Sequence, residues 1–328
     1  MRRRDWLRML GLAVGAAGAR TLAQPQRLRR IGYLSLLSLT DPPSPERQAF
    51  IEGLAELGHV QGRNLEIVYA SAEGLVEFLD EVTRDLAAKN VELIAASGSG
   101  PLQALQRVTP RMPVVMLAIG DPVGLKLVNS LARPGGNMTG VSFNSSELAA
   151  KRVQLLHELA PSARRLAILL HGRNNNARLE SMAAEAAAAK LGLAPVVIRF
   201  ADDNGLTRGL QRAAAQRTEL LYATFEGDIV ARRRTEIADF ARSMKWPSVV
   251  GFGALAEAGF LLSYASDFPA LFRRGAYFVD RILAGAKPAQ LPVEQPQRFE
   301  LVVNLATARA LGMTIPQSFL LRADRVVE

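Results

Sequence analysis

From Arg30 to Glu328 short apolar runs alternate with stretches of helical period, which is the pattern of parallel sheets covered by helices. Residues 31–35 predict the first strand, followed by a helix with Phe50, Leu54 and Leu57 on one face and Gly58 as its stop. Residues 65–69 predict a second strand. Leu75, Phe78, Leu79, Val82 and Leu86 then form the apolar stripe of the next helix. Strands are expected at 93–96 and 114–117, with a helix carrying Leu102, Leu105 and Val108 between them, and a fifth at 140–143.

The rhythm then restarts. A helix at 148–159, a strand at 164–170 and an alanine-rich helix at 177–191, closed by Gly192, precede strands at 196–200, 220–224 and 248–252. Helices around Leu210 and at 237–241 separate these strands. Behind them come a strand at 260–264, a helix at 268–283, a proline-bracketed crossing at 291–296, a strand at 299–303 and a short helix to Leu311. The βαβ rhythm, played twice, predicts an α/β protein of two doubly wound parallel-sheet lobes. Extended segments near 142–146, 262–266 and 292–299 are the expected crossovers, so the fold class is two hinged lobes over a cleft. The N-terminal lobe is assigned 28–143 plus 266–291, and the C-terminal lobe 144–265 plus 292–328.

Charge changes the reading of the N-terminus. The 328 residues carry 40 Lys+Arg against 31 Asp+Glu, a net charge of +9. Arg2, Arg3 and Arg4 precede an apolar run at 9–19 and the small-x-small site around Ala23, the layout of a cleavable signal peptide over 1–23. Arg3-Arg4-Asp5-Trp6-Leu7-Arg8 resembles a twin-arginine export motif, and Sec export is the alternative. Cleavage lowers the charge from +9 to +5. The chain has no cysteine, which excludes disulfides, thiolate metal sites and lipid attachment through cysteine. A soluble periplasmic protein is expected.

Candidate chemistry collects in loops that follow strands, where ligands of doubly wound sheets lie. Ser97-Gly98-Ser99-Gly100-Pro101 opens a helix with Ser99 as the expected N-cap; it is either a bare βα turn or a carboxylate site at a helix N-terminus. Gly120-Asp121-Pro122-Val123 repeats the design, with Asp121 either capping a helix or facing a ligand ammonium. The run 133–137 is read as that helix's stop. Asn174-Asn175-Asn176, Phe225-Glu226 and Ser263-Tyr264 supply amides, a carboxylate and aromatic rings, a usual lining for small-molecule clefts. Gly251-Phe252-Gly253-Ala254-Leu255-Ala256 matches a dinucleotide pattern but leaves no room for its crossover helix. No hydrolase, Walker or metal-spacing motif appears in a fitting context, and His59 and His157 are expected at the solvated surface. Arg232-Arg233-Arg234 reads as a solvated helix face, so nucleic acid is not an expected partner.

Several long ordered blocks resemble a family of ABC transporter substrate-binding proteins that includes tryptophan- and tyrosine-binding members. They are Ala49-Phe50 with Gly53-Leu54-Ala55-Glu56-Leu57-Gly58; Gly62-Arg63-Asn64; Gly120-Asp121-Pro122-Val123; Ser130-Leu131-Ala132-Arg133-Pro134-Gly135-Gly136-Asn137 with Thr139-Gly140; and Lys151-Arg152. Leu291-Pro292-Val293-Glu294-Gln295-Pro296, Phe299-Glu300-Leu301-Val302-Val303-Asn304 and Leu320-Leu321-Arg322-Ala323-Asp324 complete the set. The resemblance implies a type I periplasmic binding protein that is not an enzyme, has no cofactor, is a monomer and delivers a small molecule to an ABC permease and its ATPase. A sensor subunit and, third, a nucleotide-dependent enzyme are the alternatives. It further implies cleft residues Ser35, Ser97, Gly98, Ser99, Asp121, Pro122, Asn144, Ser145, Asn174, Asn175, Phe225, Glu226, Ser263 and Tyr264. The expected ligand is a small carboxylate, most simply an aromatic amino acid, with its carboxylate on 97–99, its ammonium on Asp121 or Glu226, and its ring on Phe225 or Tyr264. Ser99 stands where the family has threonine, Ala265 where it has glycine, and 171–176 where it has Asn-Pro repeats.

Overall fold

The computed structural model describes residues 28–224 and 229–328. The expected signal peptide, together with Phe225 and Glu226, lies outside the described residues. The first lobe is built from β1 (Arg29–Ser35), α1 (Pro45–Glu56), β2 (Leu65–Ser71), α2 (Leu79–Ala87), β3 (Ile94–Ala96), α3 (Ser99–Val108), β4 (Val114–Ile119) and β5 (Met138–Ser142). Its strands pair in parallel in the order β2-β1-β3-β4-β5. Inner strand β4, Val-Val-Met-Leu-Ala-Ile, is buried along its whole length, as a strand covered on both faces must be.

The chain then crosses into α4 (Ser145–Leu159), β6 (Arg165–His171), α5 (Asn175–Lys190), β7 (Ala194–Phe200), α6 (Asp203–Ala215) and β8 (Leu220–Ala223). It continues through α7 (Ile229–Arg232), α8 (Arg234–Ser243), β9 (Ser248–Val250), α9 (Gly253–Glu257) and β10 (Leu262–Ala265). After α10 (Phe268–Leu283) come β11 (Glu300–Asn304), α11 (Leu305–Leu311), α12 (Gln317–Leu320) and β12 (Arg325–Val327). The second sheet has the order β12-β11-β10-β9-β8-β6-β7, and only the β10–β11 pair within it is antiparallel.

Helix α10 returns to the first lobe. Asp267 caps it by accepting from the Ala270 N–H at 3.0 Å, with Pro269 in the first turn where no N–H is needed. Phe268, Leu271, Phe272, Ala276, Phe278 and Val279 are buried in the same core as Ile31, Tyr33, Phe50 and Leu54. The third crossing clings to that lobe before leaving it: Val293 is buried among the residues of β3 and β4, and Glu294 pairs with β5 through Ser142 N–H at 2.8 Å and the Gly140 carbonyl at 2.9 Å. The molecule is therefore two α/β lobes joined by three crossovers.

Four local expectations are corrected. Residues 76–78 form a tight 3-10 turn ahead of α2, which leaves Leu75 and Phe78 exposed instead of on the helix's buried stripe. No helix follows Asp121: the chain runs through turns from 122 to 126, so 133–137 has no helix to stop. A short helix, α9, does fit, starting at Gly253 within the glycine-rich 251–256 stretch, though it spans only one turn. His59 is not solvated but bonds Asp280 of α10 at 3.0 Å, tying the end of α1 to the crossover helix.

Candidate functional site

Parallel strands end at one edge of their sheet, and the loops after β3, β4, β5 and β6 carry candidate residues there. Gly98 has φ 83°, a conformation that costs glycine little, and it holds the N-cap position of α3. Ser99 is therefore the first helical residue and not the expected cap. Its buried hydroxyl donates to Asn174 Oδ1 at 3.3 Å, across the two lobes. Asn174 is itself the cap of α5, accepting from the Ala177 N–H at 2.9 Å. Beside it, Asn175 Nδ2 donates to Gln103 Oε1 of α3 at 3.1 Å.

The deepest contact belongs to Asn176, which the run of three asparagines offered but the set implied by the family resemblance left out. It is fully buried; its Oδ1 accepts from the Asp121 N–H at 3.0 Å and its Nδ2 donates to Ser145 Oγ at 3.2 Å. Gly120 makes room for this approach, since an added Cβ would stand 2.1 Å from Asn176 Oδ1 and 2.3 Å from Ser145 Oγ. The signal was present in the run of three asparagines, because a helix start needs only one cap. Asp121 Oδ1 accepts from the Gly124 N–H at 2.7 Å, and Oδ2 accepts from Ser146 Oγ at 3.4 Å. Pro122 is buried beside it and accepts the Leu127 N–H on its carbonyl at 2.9 Å. Asn144 opens α4 in the left-handed region at φ 56° and donates to Glu147.

Ser99, Asp121, Ser145, Asn174 and Asn175 are thus brought together, with Ser97 and Gly98 on the same loop. Pro122 and Asn144 adjoin this group in the chain, whereas Ser35, Ser263 and Tyr264 make no bond to it. Ser35 Oγ donates to the nearby Leu37 carbonyl at 2.7 Å. Ser263 is fully buried on β10 with no partner for its hydroxyl among the described residues. Tyr264 packs its ring 5.8 Å from that of Phe299, and burial, with Asp324 as a second cause, raises its hydroxyl pKa.

Two further groups escaped the sequence reading. Phe143, Phe252 and Phe268 come from the first crossing, the end of β9 and the second crossing, and Phe268 lies 5.1 Å from each of the other two rings. Beneath the C-terminal lobe's edge, fully buried Arg152 donates from Nη1 to Glu180 Oε1 at 3.0 Å and to Tyr222 Oη at 3.1 Å, and from Nε to the Tyr264 carbonyl at 2.7 Å. Tyr222 in turn donates to Glu180 Oε1 at 2.7 Å, and burial pushes its pKa well above the ordinary value, so it remains a donor. Gly251 is again a matter of room: a Cβ there would lie 2.6 Å from the guanidinium.

Residues 41–327 match the family described as ABC transporter substrate binding protein. The chain belongs to this family. As a substrate-binding protein of this kind it is 23% identical over 282 residues to a tyrosine-binding protein of Clostridioides difficile strain R20291, covering 85% of this chain and 81% of that one. Its fold is similar to a conserved domain protein from Vibrio cholerae O1 biovar El Tor, at 27% identity and TM-score 0.85 over 92% of this chain and all (100%) of the other. It is equally similar, at 27% identity and TM-score 0.83 over 91% and 99% of the two chains, to an ABC domain from Streptococcus pneumoniae in complex with L-Trp. The fold is that of type I periplasmic binding proteins, and the family is one of substrate-binding proteins, not enzymes. Substrate-binding proteins of ABC transporters are usually exported, and no described helix is long and apolar enough to cross a membrane.

Proposed function

We propose that this substrate-binding protein serves an ABC importer from the periplasm and closes its two lobes on an aromatic amino acid. The observation that carries this reading is the meeting of polar loops from both lobes at the strand ends, flanked by the Phe143–Phe252–Phe268 cluster at the hinge. The first turn of α3, at 97–99, offers backbone N–H groups and the positive end of a helix dipole to a carboxylate. Asp121 Oδ2 faces Ser146 alone at 3.4 Å and retains acceptor capacity for an ammonium. Phe252, the partly exposed member of the aromatic cluster, supplies a surface for a ring, in place of Tyr264, which is occupied with Phe299. A relative that binds tyrosine and a similar structure holding L-Trp support the ligand class.

The test is thermal denaturation and calorimetry on residues 24–328, refolded from denaturant to strip any carried ligand, against L-Trp, L-Tyr, L-Phe, L-Glu, L-Lys and D-glucose. An aromatic amino acid at about 100 times its Kd is expected to stabilise the fold by about 2.7 kcal/mol and raise Tm. A shift with glucose alone, or with none of the amino acids, would overturn the ligand class.

A further inference from the structure

Four of the large apolar side chains left exposed among the described residues come from one place. Leu37 follows β1, and Leu75, Val76 and Phe78 follow β2; each is between 40% and 47% exposed. Strand β2 is the edge of the first sheet opposite β5, from which the first crossing leaves, so this tip sits at the end of the lobe away from the hinge. It is a built structure. The Ala72 N–H donates to the Ser35 carbonyl at 3.1 Å, the Gly74 N–H to the Leu36 carbonyl at 2.6 Å, and Ser71 Oγ to the Leu37 carbonyl at 2.9 Å. Glu73 is held in the left-handed region at φ 51°, a conformation that a non-glycine residue keeps only where its surroundings fix it, and Ser38 donates to its carboxylate. Underneath, Leu36 and Val82 pack on buried Ala72, Leu79 and Ala104. These bonds and contacts all stay within the N-terminal lobe.

The charge of the tip is the reverse of the chain's. Against a net charge of +9, residues 73–81 hold Glu73, Glu77, Asp80 and Glu81 and no Lys or Arg. Asp80 is paired with Arg107 of α3. Hydrogen bonds from Ser38 and Ser71 hold the Glu73 carboxyl below its ordinary pKa, so it is an anion at neutral pH. An apolar centre with an acidic rim repels a second copy of itself and repels an anionic lipid surface. A substrate-binding protein of an ABC transporter has another surface to meet, because it works with the transporter's other components.

We propose that the tip formed by residues 36–38 and 72–78 anchors the N-terminal lobe on the membrane-spanning subunit of the transporter, seated in an apolar socket with a basic rim. The inference rests on the importer reading but on no particular ligand. Because the tip belongs to one lobe and is fixed from within that lobe, it docks whether or not a ligand is bound. Four apolar side chains suit the centre of a transient contact, and the acidic groups on its wet rim set orientation and association rate.

The test places a photoreactive benzoylphenylalanine at position 78 and, separately, at exposed position 173 in the loop after β6 and at exposed position 216 between α6 and β8, on the opposite edge of that sheet. Each protein, stripped of ligand, is added to washed spheroplasts of the source cells and illuminated, and the adducts are identified by mass spectrometry. Position 78 is expected to give an adduct with an ABC membrane subunit, and position 216 none. Leu75→Ser with Phe78→Ser is expected to bind that subunit, reconstituted with its ATPase in nanodiscs, about tenfold more weakly, with Tm and amino-acid binding unchanged. Glu77→Gln with Glu81→Gln should slow association and reduce its salt dependence. Undiminished binding by the serine variant, equal adducts at 78 and 216, an adduct of position 78 with a second copy or with lipid alone, or an adduct at 173 with none at 78 would overturn the anchor and leave the importer reading standing. Membrane-subunit adducts at neither 78 nor 173, with L-Trp present or absent, would overturn the importer reading together with it.

Discussion

At the scale of residues, the buried charge of Arg152 is the most exacting feature of the C-terminal lobe. Desolvating a guanidinium is costly, and the cost is offset only while Glu180 and Tyr222 hold their geometry. Glu180→Ala leaves an uncompensated buried cation and is expected to lower unfolding stability by about 3–5 kcal/mol in urea denaturation. Tyr222→Phe removes one donor and one acceptor but no charge, and should cost about 1–3 kcal/mol. Equal losses in the two variants would show that the charge is not what the network stabilises. None of this was legible in the sequence. Arg152 is one of 40 basic residues, and only the fold brings α4, α5 and β8 around it.

At the scale of elements, α10 shows what a sequence does reveal. Its expected span, 268–283, is the observed one, because Asp267 and Pro269 mark the start and an uninterrupted apolar face marks the length. The stripe at 75–86 was only half right, since apolar residues on an exposed turn at helical spacing imitate the first turn of a helix. The short β12 and α12 left no periodic trace at all. Strand ends were legible, and so were the loops of the candidate site. The partners those loops choose were not, because the bonds from 174–176 depend on how two lobes meet. Helix packing also yields a prediction. Gly53 of α1 sits against α10, where an added Cβ would lie 2.8 Å from the Arg273 carbonyl. A backbone atom cannot swing away, so Gly53→Val is expected to destabilise by about 1–3 kcal/mol in thermal or urea unfolding despite a slightly better helix propensity. Unchanged stability would mean that α1 and α10 separate freely.

At the scale of the whole molecule, the first lobe is completed by residues that lie between β10 and β11 of the second lobe's sheet. Residues 28–143 expressed alone lack α10, whose apolar face shares a core with Phe50 and Leu54. That fragment is expected to show helical far-ultraviolet dichroism without a cooperative thermal transition, and fusing 266–291 to it should restore the transition. A cooperative transition in the shorter fragment would show that the lobe does not depend on α10. The same interleaving explains why a hinge here is restrained: three strands of chain, one of them hydrogen-bonded to β5 through Glu294, must bend together.

The late position of α10 has a consequence for the order of events in the cell. A chain leaving the ribosome from its N-terminus cannot close the core around Phe50 until residues 268–283 have also emerged, so the first lobe stays unfinished until all of the second sheet but β11 and β12 has been made. A Sec-type passage through a narrow channel, which requires an unfolded chain, is helped by this delay. A route that accepts only folded cargo would have to wait for nearly the whole polypeptide.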